Sequence, residues 1–164
     1  MYKITKEFEA SYAHRVWNQT LNDGQVCKCR RCHGHNSVIQ LELKATTLQN
    51  DMVLDYNELG CFKKFVDDYI DHRTILDMND PILKHFKIEY IIDAPKFGFS
   101  KIINMYPIKD EVEQELYDSI ILIDCVPTSE NFCRLIYDGL KKTIPQISKV
   151  SWSETGKTNA TYSN

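Results

Sequence analysis

Residues 33–46, HGHNSVIQLELKAT, alternate in character: His33, His35, Ile39, Leu41, Leu43 and Ala45 share one parity, and Ser37 interrupts that face without breaking it. Alternation of period two marks a β-strand with one buried face. On a strand, residues i and i+2 project to the same side. His33 and His35 therefore point the same way, with Gly34 between them. Residues 3–16 read likewise, with Ile4, Phe8, Ala10, Tyr12, His14 and Val16 on one parity and Lys3, Glu7, Glu9 and Arg15 on the other. His14 thus belongs to an apolar face. If the two strands pair, three imidazoles can converge.

The polar stretch 17–31 between these strands contains NDG, a turn signal. After them, residues 54–72, LDYNELGCFKKFVDDYIDH, read as a helix that Asp55 can cap, with Glu58 three residues on and Leu59, Phe62, Val66, Tyr69 and Ile70 at helical spacing. SIILIDCV, 119–126, reads as a buried strand. A second helix opens at PTSENF, with Thr128 or Ser129 as cap and Phe132, Leu135, Ile136 and Leu140 as its apolar stripe, and Pro145 stops it. ISKVSWSE, 147–154, is a further strand with Val150, Trp152 and Glu154 on one face. Within 81–118, residues 88–108 carry β-branched and aromatic character broken by Pro95, Gly98 and Pro107, which suits an extra hairpin, and KDEVEQELYD suits one or two helical turns. This order predicts an α+β domain with an antiparallel sheet and helices on one face.

A chain of 164 residues suits one domain, residues 1–164, with a sizeable core. A net charge of −3 and a pI near 5.9 do not announce a nucleic-acid partner, which usually shows as a basic face. No apolar run is long enough to span a membrane, and MYKITKEFEA has no signal-peptide core, so a cytoplasmic protein is expected. In a reducing compartment, Cys27, Cys29, Cys32, Cys61, Cys125 and Cys133 should be thiols or metal ligands rather than disulfides.

VCKCRRCHGHNS, 26–37, concentrates three cysteines and two histidines in twelve positions. Three neutral histidines with one open position form the ligand set of a catalytic zinc site, although affinity order alone leaves iron, nickel or copper open. Two plainer readings compete. His14 could be a satisfied core histidine. Cys27, Cys29, Cys32 and His33 could form a structural Cys3His site, a reading weakened by the missing second ligand pair. Farther along, Asp71 beside His72 could fix an imidazole tautomer for general acid–base work, or simply end a solvated helix.

Taken together, FEASYAHRV, CRRCHGHN, MVLDYNEL, YIDH, PTSEN and SET occur in an order that resembles the pterin synthase family, with its 6-carboxytetrahydropterin and 6-pyruvoyltetrahydropterin branches. The resemblance runs through both ends of the chain. It implies a tunnelling fold: a four-stranded antiparallel sheet with two helices on one face, three subunits closing a barrel, and two trimers forming a homohexamer with active sites between subunits. It implies Zn2+ on His14, His33 and His35. It implies a catalytic cysteine in a C-x3-H-G-H pattern, which Cys29 matches; Cys27 fits the wider spacing of the pyruvoyl branch. Asp71 and His72 match the family's Asp-His pair, Glu154 the glutamate that anchors the pterin, and Thr128 and Ser129 residues that line the pterin pocket.

The implied reaction is that of a lyase converting 7,8-dihydroneopterin triphosphate to 6-carboxytetrahydropterin, acetaldehyde and triphosphate, on the way to 7-deazaguanines and queuosine. Zinc would act as a Lewis acid on the side-chain hydroxyls, Cys29 as base, and His72 as proton shuttle. Lys28, Arg30 and Arg31 flank Cys29, where cations would lower its pKa; with Arg15 they could also meet the triphosphate. Two departures stand out. Residues 84–118 exceed what compact relatives carry, and Ser153 stands where carboxy-branch members often have Lys. A pyruvoyl synthase or related lyase, and a non-catalytic zinc-stabilised binding protein, are the rival functions.

Overall fold

β1 (Tyr2–His14) and β2 (His33–Ala45) pair antiparallel along their whole length, from Tyr2 opposite Ala45 to His14 opposite His33. The computed structural model that shows this describes residues 1–86, 90–104 and 110–164. Strand β7 (Ile147–Thr155) continues the sheet antiparallel to β2, and β8 (Thr158–Tyr162) closes back on β7. β1-β2-β7-β8 are antiparallel neighbours, but they are only half of the sheet, so the expected sheet of four antiparallel strands is not what forms. On the other side of β1 lie β3 (Arg73–Asp77) and β6 (Ile120–Ile123), both parallel additions, then β5 (Phe99–Asn104) and β4 (Tyr90–Ile92), antiparallel. The result is an eight-stranded mixed sheet in the order β4-β5-β6-β3-β1-β2-β7-β8.

That correction has a physical source. The parallel strand β6, IILI, is buried on both faces, as parallel strands usually are. Its buried backbone N–H and C=O groups need partners at both edges, and Arg73–Asp77 supplies one immediately after a helix ends. The hairpin expected near 88–108 exists as β4–β5; its neighbours 87–89 and 105–109 lie outside the described residues. The helical turns expected after it are α2 (Glu111–Asp118), which Asp110 caps from the Val112 N–H.

One face of the sheet carries the main core. A short 3-10 turn, Tyr56–Leu59, leads into α1 (Gly60–Tyr69), shorter than its apolar pattern suggested, and α3 (Ser129–Lys141) packs over β7 and β8. Phe62, Phe65 and Val66 of α1 and Phe132, Ile136 and Leu140 of α3 meet Phe8, Ile39, Leu41, Val150 and Trp152 from the strands. Phe132 is fully buried between Tyr12 and Trp152, with ring centroids 5.7 and 4.7 Å away. Truncating such a ring to Ala typically costs about 3–5 kcal/mol.

The opposite face is covered only in part. Leu76, Ile102, Ile120 and Leu122 form a second, smaller core with Leu83 of the 3-10 turn Pro81–His85, and Phe86 lies against Tyr117 of α2. Farther along this face, β1 and β2 stay polar. β1 also keeps a long open edge, because β3 pairs with it only at Tyr12, Ala13 and His14. No helix of the described residues is long and apolar enough to cross a membrane.

Candidate metal centre

The strand register delivers what the parity of the sequence predicts. His14 sits opposite His33 and Tyr12 opposite His35, so all three histidines share the core face at one end of the sheet. Their ring centroids are 4.6, 5.2 and 5.1 Å apart, and one ligand nitrogen from each lies within 4.8 Å of the others. His14 is 2% exposed. Its Nδ1 donates to the carbonyl oxygen of Pro127 at 2.7 Å, which fixes the tautomer and leaves Nε2 as a lone-pair donor. His33 is held the same way, with Nδ1 donating to the Arg31 carbonyl at 2.8 Å.

Buried polar atoms are normally satisfied. The Nε2 atoms of His14 and His35 are buried and have no hydrogen-bond partner. Burial lowers the pKa of His14, the Pro127 carbonyl opposes this, and His33 and His35 add to it. The imidazole is thereby kept neutral, the form that binds a metal. Three nitrogen donors with two orphaned buried lone pairs fit a divalent ion such as zinc. Among the described residues this is the one group of ligand side chains placed to hold a metal; the three cysteines of the loop do not join it. All six cysteines are free thiols.

Cys27, Cys29 and Cys32 lie on the loop from Val16 to Cys32, which leads into His33. Cys27 precedes the 3-10 turn Lys28–Arg30, and the Val16 N–H donates to the Cys29 carbonyl at 2.8 Å. Burial raises the pKa of Cys29, Cys27 raises it further, and Lys28 opposes without overcoming them. The expected activation by flanking cations is therefore not built into the loop by itself. Arg15, expected among the cations available to a phosphate group, is instead paired with Asp80, its Nε 3.0 Å from the carboxylate.

Glu154, at the end of β7, stands close enough to act electrostatically on Tyr12, His14 and Cys29. Tyr12 accepts a hydrogen bond from Trp152 Nε1 at 3.3 Å and, with Phe132, forms an aromatic wall behind His14. Thr128 caps α3, its Oγ1 accepting from the Asn131 N–H at 3.4 Å, and Ser129 begins the helix, buried. Both follow directly on Pro127, whose carbonyl holds His14.

Asp71 and His72 lie elsewhere. His72 Nδ1 donates to Asp71 Oδ2 at 2.9 Å, and the other oxygen accepts the Ser11 N–H at 2.8 Å. That backbone bond, helped by His72 and opposed by burial, holds the Asp71 carboxyl below its ordinary pKa. His72 has a positive φ of 56°, a left-handed backbone that non-glycine residues rarely adopt, and its N–H donates to the Ser11 carbonyl at 2.7 Å. The imidazole joins Ser11, Ala13, Gly34, Asn36 and Thr74 in lining an open cleft of about 400 Å3. These strand residues have the parity opposite to His14 and His35. Tyr12 and His35 also border this cleft, and the Asp–His pair is anchored through the Ser11 backbone at the open edge of β1.

Sequence reasoning did not reach the carbonyl anchors at Pro127 and Arg31, since any residue supplies a carbonyl. It also passed over Asp77 and Asp80, both buried, which bind the loop next to the cluster. The two acids of LDMND and the Arg15 and Trp17 donors of HRVW were the available signal.

A sequence-family model described as 6-pyruvoyl tetrahydropterin synthase matches residues 3–164. The chain is 30% identical to the 6-carboxy-5,6,7,8-tetrahydropterin synthase of Aquifex aeolicus, covering 98% of this chain and 97% of that protein. Among solved structures, an uncharacterised protein of Wolinella succinogenes matches with a TM-score of 0.86 and 33% identity over 99% of this chain and 98% of the other. The 6-pyruvoyl tetrahydropterin synthase of Caenorhabditis elegans matches in fold, with a TM-score of 0.58 and 22% identity over 99% and 95% of the two chains.

Proposed function

The chain belongs to the 6-pyruvoyl tetrahydropterin synthase family, and within it we propose that this protein is a 6-carboxy-5,6,7,8-tetrahydropterin synthase. It would convert 7,8-dihydroneopterin triphosphate to 6-carboxytetrahydropterin, acetaldehyde and triphosphate, a step toward 7-deazaguanines such as queuosine. The observation that carries this reading is the histidine cluster with its two orphaned buried Nε2 atoms, within electrostatic reach of Glu154, which in turn acts on Cys29. The near full-length similarity to the Aquifex enzyme selects the carboxy branch.

His14, His33 and His35 would hold Zn2+, which when bound supplies Lewis-acid polarisation of the substrate's side-chain oxygens. Glu154 would accept the paired N–H donors of the pterin edge, a bidentate geometry that a carboxylate favours. Thr128 and Ser129, placed by the α3 cap, would line the same pocket. Cys29 would take the proton as thiolate. Its pKa is raised in the free chain, and a cation held by the histidines would supply positive charge that favours ionisation. Lys28, Arg30 and Arg31 are the cations left for the triphosphate once Arg15 is paired with Asp80.

Asp71 and His72 would shuttle protons, and their anchorage at the open edge of β1 supports a site completed by a second copy. An open β1 edge, with β8 as the far edge of the sheet, supports ring closure between copies, in keeping with a homohexamer built from two trimers. The test is incubation with 7,8-dihydroneopterin triphosphate: acetaldehyde and the 6-carboxy product are expected. A pyruvoyl product without acetaldehyde would transfer the protein to the other branch, to which the six-residue spacing of Cys27 from His33 is suited. Zinc-bound protein with no turnover at all would favour a binding role.

A further inference from the structure

Two buried carboxylates flank one short segment of chain. Asp80 is 2% exposed and lies 3.0 Å from Arg15 Nε, while its other oxygen caps the 3-10 turn by accepting the Ile82 N–H at 2.9 Å. Asp77 is 3% exposed and accepts Trp17 Nε1 at 2.9 Å, with its second oxygen taking the Asn79 N–H at 2.8 Å. Arg15 and Trp17 bracket Val16. The Val16 N–H is the group that donates to the Cys29 carbonyl at 2.8 Å.

A buried charge needs a partner: Asp77 is hydrogen-bonded to Trp17, and Asp80 is ion-paired with Arg15. Asp77 ends β3, the strand that joins the open side of β1, and Asp80 lies in the turn just after it. The pairing of β3 with β1 therefore sets where Arg15 and Trp17 sit. Through Val16 it also sets where the turn Lys28–Arg30 presents the Cys29 thiol. Neither Asp77 nor Asp80 belongs to the histidine cluster, the Asp71–His72 pair or the Glu154 end of β7.

We infer that Asp77 and Asp80 are positioning residues: they clamp Trp17 and Arg15 so that Val16 holds the Cys29 segment against the metal centre. This rests on the reading of Cys29 as the working thiol. A displacement of the thiol by about an ångström can cost on the order of a hundredfold in rate, so the clamp acts on turnover without touching substrate.

Two variants test it without removing the fold's supports. Asp80→Asn keeps the cap to Ile82 but turns an amide toward Arg15, and Trp17→Phe keeps an aromatic ring but removes the donor to Asp77. In each, kcat for acetaldehyde formation is expected to fall about tenfold or more, with KM within about twofold and metal content unchanged. The rate of Cys29 alkylation, read by peptide mass spectrometry against Cys61 as internal standard, is expected to change severalfold, and Asp80→Glu should recover part of both effects. Unchanged kcat and unchanged Cys29 alkylation in both variants would overturn the clamp, as would a rate loss fully explained by lost metal. Full turnover in Cys29→Ala would instead remove the premise about Cys29, and the alkylation readout would still judge the clamp.

Discussion

His14 Nδ1 lies 2.7 Å from the carbonyl oxygen of Pro127, so helix α3 and strand β1 jointly dictate which nitrogen of the buried imidazole is free. A carbonyl can only accept, so the proton is on Nδ1 and Nε2 faces His33 and His35. Replacing His14 or His35 with Ala should leave less than about a tenth of the wild-type metal per chain, because a three-ligand site cannot spare one. Metal analysis of the purified variants reads this directly. A cobalt-loaded wild type should lack intense thiolate charge-transfer bands; their presence would mean that cysteines ligate the ion after all.

The two neighbouring thiols should separate cleanly. Cys29→Ala is expected to lower kcat by at least about a hundredfold, the usual range for losing a general base, while Cys27→Ala keeps it within about threefold. Burial and Cys27 together raise the Cys29 pKa. Removing Cys27 takes away the second cause, so the pH midpoint for Cys29 alkylation in the metal-free protein should move to lower pH. A midpoint that stays put or rises would contradict the coupling. Equal loss of turnover in both variants would contradict the assignment to Cys29.

The Asp71–His72 pair is anchored through Ser11 at the open edge of β1, and a site completed there by a second copy predicts complementation. His72→Ala and Cys29→Ala chains should each be inactive as pure oligomers. Denatured together and refolded, mixed oligomers should regain a substantial fraction of wild-type turnover, since some sites then combine an intact His72 from one copy with an intact Cys29 from another. A mixture no more active than its parts would mean that one chain supplies both groups.

Much of this was legible beforehand, and the boundary is instructive. Alternation in 3–16 and 33–46 placed His14, His33 and His35 on one face because a half-buried antiparallel pair has no other way to hide its apolar side. The α3 stripe was readable for the same reason. What escaped was everything decided by partners far along the chain. Arg73–Asp77 is a strand because β6, apolar on both faces, requires a neighbour. TNATY, Thr158–Tyr162, offers little apolar signal and becomes a strand by pairing with β7. The face on which His72 emerges depends on its left-handed backbone and on the Ser11 contacts, which no local pattern encodes. The reach of Arg15 was misjudged because a buried Asp80, sixty-five positions away in sequence, claims it.

Acid should expose the electrostatics of the polar face. Glu42 is 4% exposed on β2 and is ringed by Lys3, Lys44 and Lys149 at 3.1, 3.1 and 3.3 Å, with Ser148 donating at 3.0 Å. Burial alone would raise its pKa, but Lys44, Lys3, Ser148 and Lys149 together hold it at about 2, against an ordinary 4.5. A carboxyl depressed on folding contributes stability that is fully present above its unfolded pKa and lost as pH falls through the folded one. That contribution should therefore disappear between about pH 4.5 and pH 2. In Glu42→Gln this part of the acid loss cannot occur, so the variant should start with a lower Tm at pH 7 and lose less of it on acidification. Asp71, also depressed, titrates in both proteins and cancels in the comparison. Tm curves for the two proteins that ran parallel from pH 7 to pH 2 would show that the lysine ring around Glu42 stabilises nothing.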